Sequence, residues 1–180
     1  MKHLSNYLIP FSLVLILILN SCQTGKSQQK EGNYKTYHKN GKLWTDENFK
    51  NNKHHGTRLT YYDNGQLRTK LNFNMGVKVD SFIVYHPNGK LRLQRFLNAK
   101  SQRTGKEVAY YQNGQISQLE YYVNDNEEGI SKFYHENGQL KLISTYKNGE
   151  KHGLEQSFDI NGKLIKESHY KNGELVVNAQ

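Results

Sequence analysis

From Tyr37 to Tyr170 the apolar residues keep to a fixed frame around the dipeptide Asn-Gly. The pair stands at Asn40-Gly41, Asn64-Gly65, Asn88-Gly89, Asn113-Gly114, Asn137-Gly138 and Asn161-Gly162, in steps of 24, 24, 25, 24 and 24 residues. Three residues before each Asn sits an aromatic (Tyr37, Tyr61, Tyr85, Tyr110, Tyr134, Phe158), and three after it an aliphatic (Leu43, Leu67, Leu91, Ile116, Leu140, Leu164). Nine after it comes another aromatic (Phe49, Phe73, Tyr122, Tyr146, Tyr170), with Phe96 out of step at eight. Offsets of three and nine differ by an even number. In a strand, that puts Leu67, Leu71 and Phe73 on one face and Arg68, Lys70 and Asn72 on the other. The three-and-four spacing of a helix does not recur. The pattern therefore predicts an all-β fold, with two strands per unit over six hairpin repeats and a tail. That is an elongated, twisted antiparallel sheet of about thirteen strands, each of roughly 6–8 residues, and roughly 60 Å long.

The turns are legible too. Asn-Gly between hydrophobic runs is a strong hairpin signal. In His86-Pro87-Asn88-Gly89 a two-residue turn would place Pro87 in the last paired strand position, where it has no N–H to give. A type I turn with Pro at its second position and Gly89 in a left-handed bulge suits all four residues. The same geometry is expected at the other five sites. A second turn falls half a unit later, at Lys147-Asn148-Gly149-Glu150 and Lys171-Asn172-Gly173-Glu174. Gly recurs sixteen residues after Asn (Gly56, Gly129, Gly153). Gly105 comes at seventeen, and Asp80 stands where the second unit should have it.

The face opposite the ladder should be polar, and in the middle of the chain it is not. Phe82, Val84, Tyr111, Leu119, Tyr121, Phe133 and Ile143 all have the parity opposite to the ladder residues. Contiguous apolar surface marks a contact site, so Phe82, Tyr111, Leu119, Tyr121, Phe133 and Ile143 are the candidate partner-binding residues. The competing expectation is that the sheet curls over them and makes a second core.

The stretch Asn148-Gly149-Glu150-Lys151-His152-Gly153-Leu154, followed by Phe158-Asp159-Ile160-Asn161-Gly162-Lys163-Leu164 and Tyr170-Lys171-Asn172-Gly173, resembles the variant MORN repeat. The resemblance spans about residues 34–175. It implies an elongated antiparallel sheet with no catalytic residues to carry over. Bacterial chains of this kind are often labelled antitoxins of the YwqK type, but a repeat scaffold does not by itself define a function.

The first 21 residues differ from all that follow. Lys2 and His3 lead into an apolar run from Leu8 to Leu19, short for a membrane span and suited to a signal peptide. It ends in Leu19-Asn20-Ser21-Cys22, which resembles the bacterial lipobox. The resemblance implies cleavage before Cys22, the only Cys of the chain, and a lipidated Cys22 as residue one. Several acyl chains hold a protein to a bilayer far better than one. Gln23 follows the Cys in place of the Asp that signals inner-membrane retention, which points to an outer-membrane lipoprotein of the cell envelope. Residues 22–33 read as the lipidated Cys and a flexible tether, and residues 34–178 as the repeat array. With a single Cys, cross-strand pairs rather than disulfides must hold the array together.

The chain carries 25 Lys+Arg against 16 Asp+Glu, formally +9. In an exported protein the expected anions are lipid head groups, glycan phosphates or an acidic protein; no nucleic-acid partner is expected. The basic residues are scattered through the repeats, which also suits the blunting of strand edges. Eight His raise the question of metal. His38, His86 and His135 share one slot, two before Asn-Gly, and successive copies lie at least two strands apart, roughly 10 Å or more. They are expected to be turn-flanking residues, with His135→Ala changing stability little. No metal, cofactor or catalytic set is expected. The sequence thus points to a non-enzymatic, lipid-anchored envelope scaffold that binds a protein partner. The alternatives are an immunity protein against an envelope-acting toxin, and a binder of anionic lipid or glycan head groups.

Overall fold

The computed structural model describes residues 29–176; Cys22 and the apolar leader lie outside the described residues. The first hairpin pairs β1 (Gly32–Tyr37) with β2 (Leu43–Lys50). The second, β4 (Gly56–Tyr61) with β5 (Leu67–Asn74), is entered through the two-residue β3 (Lys53–His54). The third joins β6 (Val77–Tyr85) to β7 (Leu91–Leu97), and the fourth β8 (Arg103–Tyr110) to β9 (Ile116–Val123). After the short β10 (Asn126–Glu127), β11 (Gly129–Tyr134) pairs with β12 (Leu140–Lys147). The sixth hairpin is β13 (Glu150–Phe158) and β14 (Leu164–Lys171), closed by β15 (Glu174–Leu175). All belong to one antiparallel sheet. Thirteen follow one another across it in chain order, while β3 and β10 attach to β2 and β9. β1 takes in Gly32 and Asn33, two residues earlier than the array was expected to start.

The Pro87 turn has the anticipated geometry. Gly89 N–H donates to His86 O at 2.9 Å, His86 N–H donates to Lys90 O at 2.8 Å, and Gly89 has φ +81°. The five sister turns repeat both bonds. The half-unit turns are of another kind. Asn148 and Gly149 have φ of 53° and 85°, the two-residue turn whose twist matches that of the strands. The third repeat departs here. Its loop closes with Ser101 N–H to Asn98 O at 2.9 Å and Ser101 at φ 64°. Asn98 N–H donates to Gln102 O at 2.9 Å, and inside that pair three residues make the turn where Asn148-Gly149 needs two, which accounts for the step of 25.

Each Asn-Gly hairpin carries a bulge just before its turn. Phe133 stands opposite Leu142, and the next residue, Tyr134, opposite Leu140. Two consecutive residues on one strand thus answer two alternate residues on the other. The same shift occurs at Thr36/Tyr37, Thr60/Tyr61, Val84/Tyr85, Ala109/Tyr110 and Ser157/Phe158. A bulge reverses parity, which decides where several side chains lie.

Burial separates the two faces. Phe49, Leu71 and Tyr122 are the large buried apolar residues of the Leu/aromatic ladder face. Thr45, Glu107, Glu120, Ser131, Ser144 and Ser168 are buried on the same face, where Ser131 and Ser144 oppose each other. We call it the inner face. On the outer face only Val108 is buried to that degree among the described residues. Hydroxyl pairs Thr36–Thr45 and Thr60–Thr69, each at 2.6 Å, continue the inner ladder.

Successive repeats are also tied along both rows of turns. Asn64 Oδ1 accepts Gln66 N–H within its own turn, while Asn64 Nδ2 donates to Pro87 O in the next. Asn40, Asn88, Asn113 and Asn137 reach the next turn in the same way. The Asn of the repeat therefore fixes its own turn and bridges to the following one. The slot two residues earlier does similar work. The Nε2 of His38, His86 and His135 lies 2.9–3.0 Å from the carbonyls of Tyr61, Tyr110 and Phe158, and Tyr62 and Tyr111 donate their hydroxyls to Tyr85 and Tyr134. Since the carbonyl accepts, each of these His carries its proton on Nε2. These side chains are clasps between repeats, not the turn fillers expected.

Candidate interaction face

The six residues proposed as a contact patch do not form one surface. Leu119, Tyr121 and Ile143 lie on the outer face, and Tyr111 lies beside it at its turn. Leu119 opposes Val108 on one side and Lys132 on the other, and Lys132 in turn opposes Ile143. Val108, Leu119, Lys132 and Ile143 thus form one row across β8, β9, β11 and β12. Tyr111 spends its hydroxyl on Tyr134 O at 2.6 Å. Phe82 and Phe133 belong to the inner face: Phe82 opposes Leu71 and Arg95, and Phe133 opposes Leu142 and Gln118. Val84, opposite Thr69 and Leu93, goes with them. The parity count missed the bulge before each turn.

What remains on the outer face is more exposed than the row itself. Tyr121 is 42% exposed, Val123 54% and Ile130 48%. Tyr121 opposes Lys106 on β8, and Glu128 N–H donates to Tyr121 O at 2.8 Å, which brings the start of β11 and Ile130 alongside. Ile130 and Val123 carry the alternating pattern but lie where the half-unit turn interrupts it, so the sequence did not single them out. Alternation also places Lys70, Lys106 and Lys132 on this face, whereas Arg92, the extra residue of its bulge, lies with Phe82 and Leu93 on the inner one. Among the described residues none of these three Lys makes an ion pair with a carboxylate.

The carboxylates of the middle repeats are on the other side. Arg95 Nη2 donates to Glu107 Oε1 at 3.0 Å, and Glu107 stands directly opposite Glu120. Burial pushes the Glu107 carboxyl up, Arg95 pulls it down, and Glu120 adds to the rise. Tyr122 donates to Glu120 Oε2 at 2.8 Å, and Arg103 lies over the Tyr122 ring at 3.9 Å. Burial first, then Glu120, raises the Tyr122 phenol, so it remains a donor. Burial raises Glu127 against the hydrogen bond from Ser131. Towards the two ends, Glu47 and Glu155 are pushed up by burial but held below their ordinary value overall. His54 and Arg58 at 2.9 and 2.7 Å do this for Glu47, and Lys151 and Ser144 for Glu155. Over β6 to β9 the inner face forms an open groove of about 420 Å³ with Phe82, Leu93, Arg95, Glu107 and Gln118 in its lining. None of this charge pairing was legible before the strands were in register. Among the described residues no three His, Cys, Asp or Glu side chains gather as a metal ion would require.

A single twisted sheet made of copies of one hairpin, each copy clasped to the next, defines a repeat scaffold. The variant MORN repeat model matches residues 30–51, 55–75, 103–124, 127–148 and 151–172. This is more than half of the chain, which belongs to the MORN repeat variant family. The unmatched stretch holds the third hairpin, with Asp80 in the Gly slot and the enlarged Asn98–Ser101 turn. No curated protein matches the chain.

Proposed function

We propose that the protein is a lipid-anchored scaffold of the cell envelope that holds a protein partner on its outer face. Repeats of this family serve in protein or lipid binding. The observation that carries the reading is the group Tyr121, Val123 and Ile130, exposed beside the row Val108, Leu119 and Ile143. A half-exposed Tyr next to aliphatic residues is the usual anchor of an interface. Anchoring rests on Cys22 at the end of the apolar leader. Two experiments test the two halves. The mass of the mature protein should show acyl chains that Cys22→Ser abolishes; an unacylated wild type refutes the anchor. A photo-crosslinker at position 121 should trap one discrete protein in intact cells, and one at inner-face position 146 should not. Equal trapping from both faces, or none from either, refutes the contact face.

The unpaired outer-face Lys70, Lys106 and Lys132 support a second reading, the binding of anionic lipid or glycan head groups. On that reading position 121 traps no protein, and vesicles with anionic lipid retain the domain in a salt-sensitive way. The immunity role attached to this repeat remains compatible with the first reading, with a toxin as the partner.

A further inference from the structure

The two ends of the sheet are complementary to each other in the same terms that join its repeats. β1 has the sequence Gly-Asn-Tyr-Lys-Thr-Tyr, and β4 has Gly-Thr-Arg-Leu-Thr-Tyr; both open on a Gly at φ 82–83°. Inside the array, β4 docks on β2 through Thr45↔Thr60 and Asp46↔Leu59, and β11 docks on β9 through Gln118↔Phe133 and Leu119↔Lys132. β14 is the counterpart of β2 and β9. Among the described residues its outer edge pairs only with β15, as β2 pairs with β3, and β1 pairs only with β2.

We propose that a second copy of this chain docks its β1 on β14, extending the array head to tail. The internal junctions set the register: Lys166 opposite Thr36 and Glu167 opposite Lys35. The second pair is a carboxylate facing an ammonium, where a like pair would repel. The turn clasps extend as well. Asn161 Nδ2 takes the place of Asn137 Nδ2, which bonds Ile160 O, and its acceptor is Lys39 O of the second copy. Lys163 matches Lys42, whose ammonium bonds Asn64 O, and its acceptor is Asn40 O. Both ends also expose apolar residues that such a junction covers. Tyr37 is 60% exposed, whereas Tyr61 and Tyr134 inside the array are half-buried, and Ile160 and Leu164 are 56% and 45% exposed. Asp159 replaces the clasping His in the last repeat and accepts Asn161 and Lys163 N–H itself, so one clasp per junction is missing. The association is therefore weaker than the bond between repeats of one chain. The contact is heterologous and does not close on itself by symmetry. This inference is independent of the partner proposed above.

Sedimentation velocity on residues 23–180 tests it. The weight-average sedimentation coefficient of the wild type should rise with concentration across the micromolar range and beyond. Glu167→Lys faces Lys35 with a like charge, and Lys35→Glu does the same towards Glu167, while also losing the pair that Lys35 makes with Asp46 at 2.7 Å in its own hairpin. Each variant alone should sediment as a monomer with unchanged circular dichroism. Mixed in equal amounts, they should associate again and pass beyond a dimer in alternating order, because both ends of each variant meet an opposite charge on the other. A wild type that stays monomeric throughout overturns the proposal, as does Glu167→Lys associating like wild type. So does a mixture of folded variants that fails to recover. Should either charge variant fail to fold, Asn161→Ala is expected to weaken wild-type association, and no change there overturns the proposal as well.

Discussion

The inner and outer faces of this sheet are made from the same repeats, yet they are treated oppositely. The inner face buries Phe49, Leu71 and Tyr122 and pairs its carboxylates with Arg58, Arg95 and Lys151. The outer face leaves Tyr121, Val123 and Ile130 in solvent, and Lys70, Lys106 and Lys132 without a carboxylate partner among the described residues. A sheet one layer thick cannot bury both sides. It puts its stability into one face and its inter-repeat hydrogen bonds, and leaves the other free for contact. The difference teaches that alternate residues of one strand can serve separate ends: on β9, Tyr122 is 7% exposed and its neighbour Tyr121 42%.

The sharpest way to break this division is at Tyr122. Tyr122→Ala removes a buried ring and a hydrogen bond to Glu120, and should lower unfolding free energy by about 3 kcal/mol in urea titration, at the lower end for aromatic truncation. Gly138→Val comes next. Gly138 sits at φ +87°, and an added Cβ would meet Gln115 Oε1 at 3.0 Å, so the cost should be about 1–2 kcal/mol. His135→Ala loses one clasp to Phe158 O and should cost about 1 kcal/mol, measurable in the same titration.

Titration separates the middle of the inner face from its ends. Burial raises the Glu107 and Glu127 carboxyls above 4.5. Between 4.5 and their folded values the native state binds more protons than the unfolded chain, so their contribution to stability falls as pH rises through that window. Glu47 and Glu155 are held low; their contribution is present above the unfolded value and is lost as pH falls through the folded ones. Urea midpoints should therefore peak on the acid side of neutrality. Glu107→Gln should flatten the decline above the peak and leave the acid limb unchanged. A decline that persists in full would show that the buried carboxyl does not cause it.

The strands and both kinds of turn were legible because they depend on residues close in sequence. Pro87 excluded the two-residue turn, and Leu67, Leu71 and Phe73 declared a face. What failed was parity across a bulge. Phe82 and Phe133 were counted from the aromatic three before Asn, and the extra residue on the strand facing that aromatic, Arg92 or Lys141, puts the aromatic out of step with the ladder and leaves them on the inner face. The clasps of His38, His86 and His135 were hidden for a different reason. Each joins residues 23 or 24 apart, which meet only once the turns are stacked. The Glu107–Arg95 pair likewise needed the register of β7 against β8. Cys22 and the leader lie outside the described residues, and their reading still rests on the lipobox alone.

The claim that one face holds the fold and the other is free for contact is tested most directly by two single substitutions measured side by side. Tyr121 and Phe133 have the same parity when counted from the sequence and lie on opposite faces in the structure. In equilibrium urea unfolding, Phe133→Ser should lose about 1–3 kcal/mol as a partly buried aromatic. Tyr121→Ser should stay within about 0.5 kcal/mol of wild type, as exposed positions do. A Tyr121→Ser loss as large as that of Phe133→Ser would mean that the sheet covers its outer face, and would contradict the division.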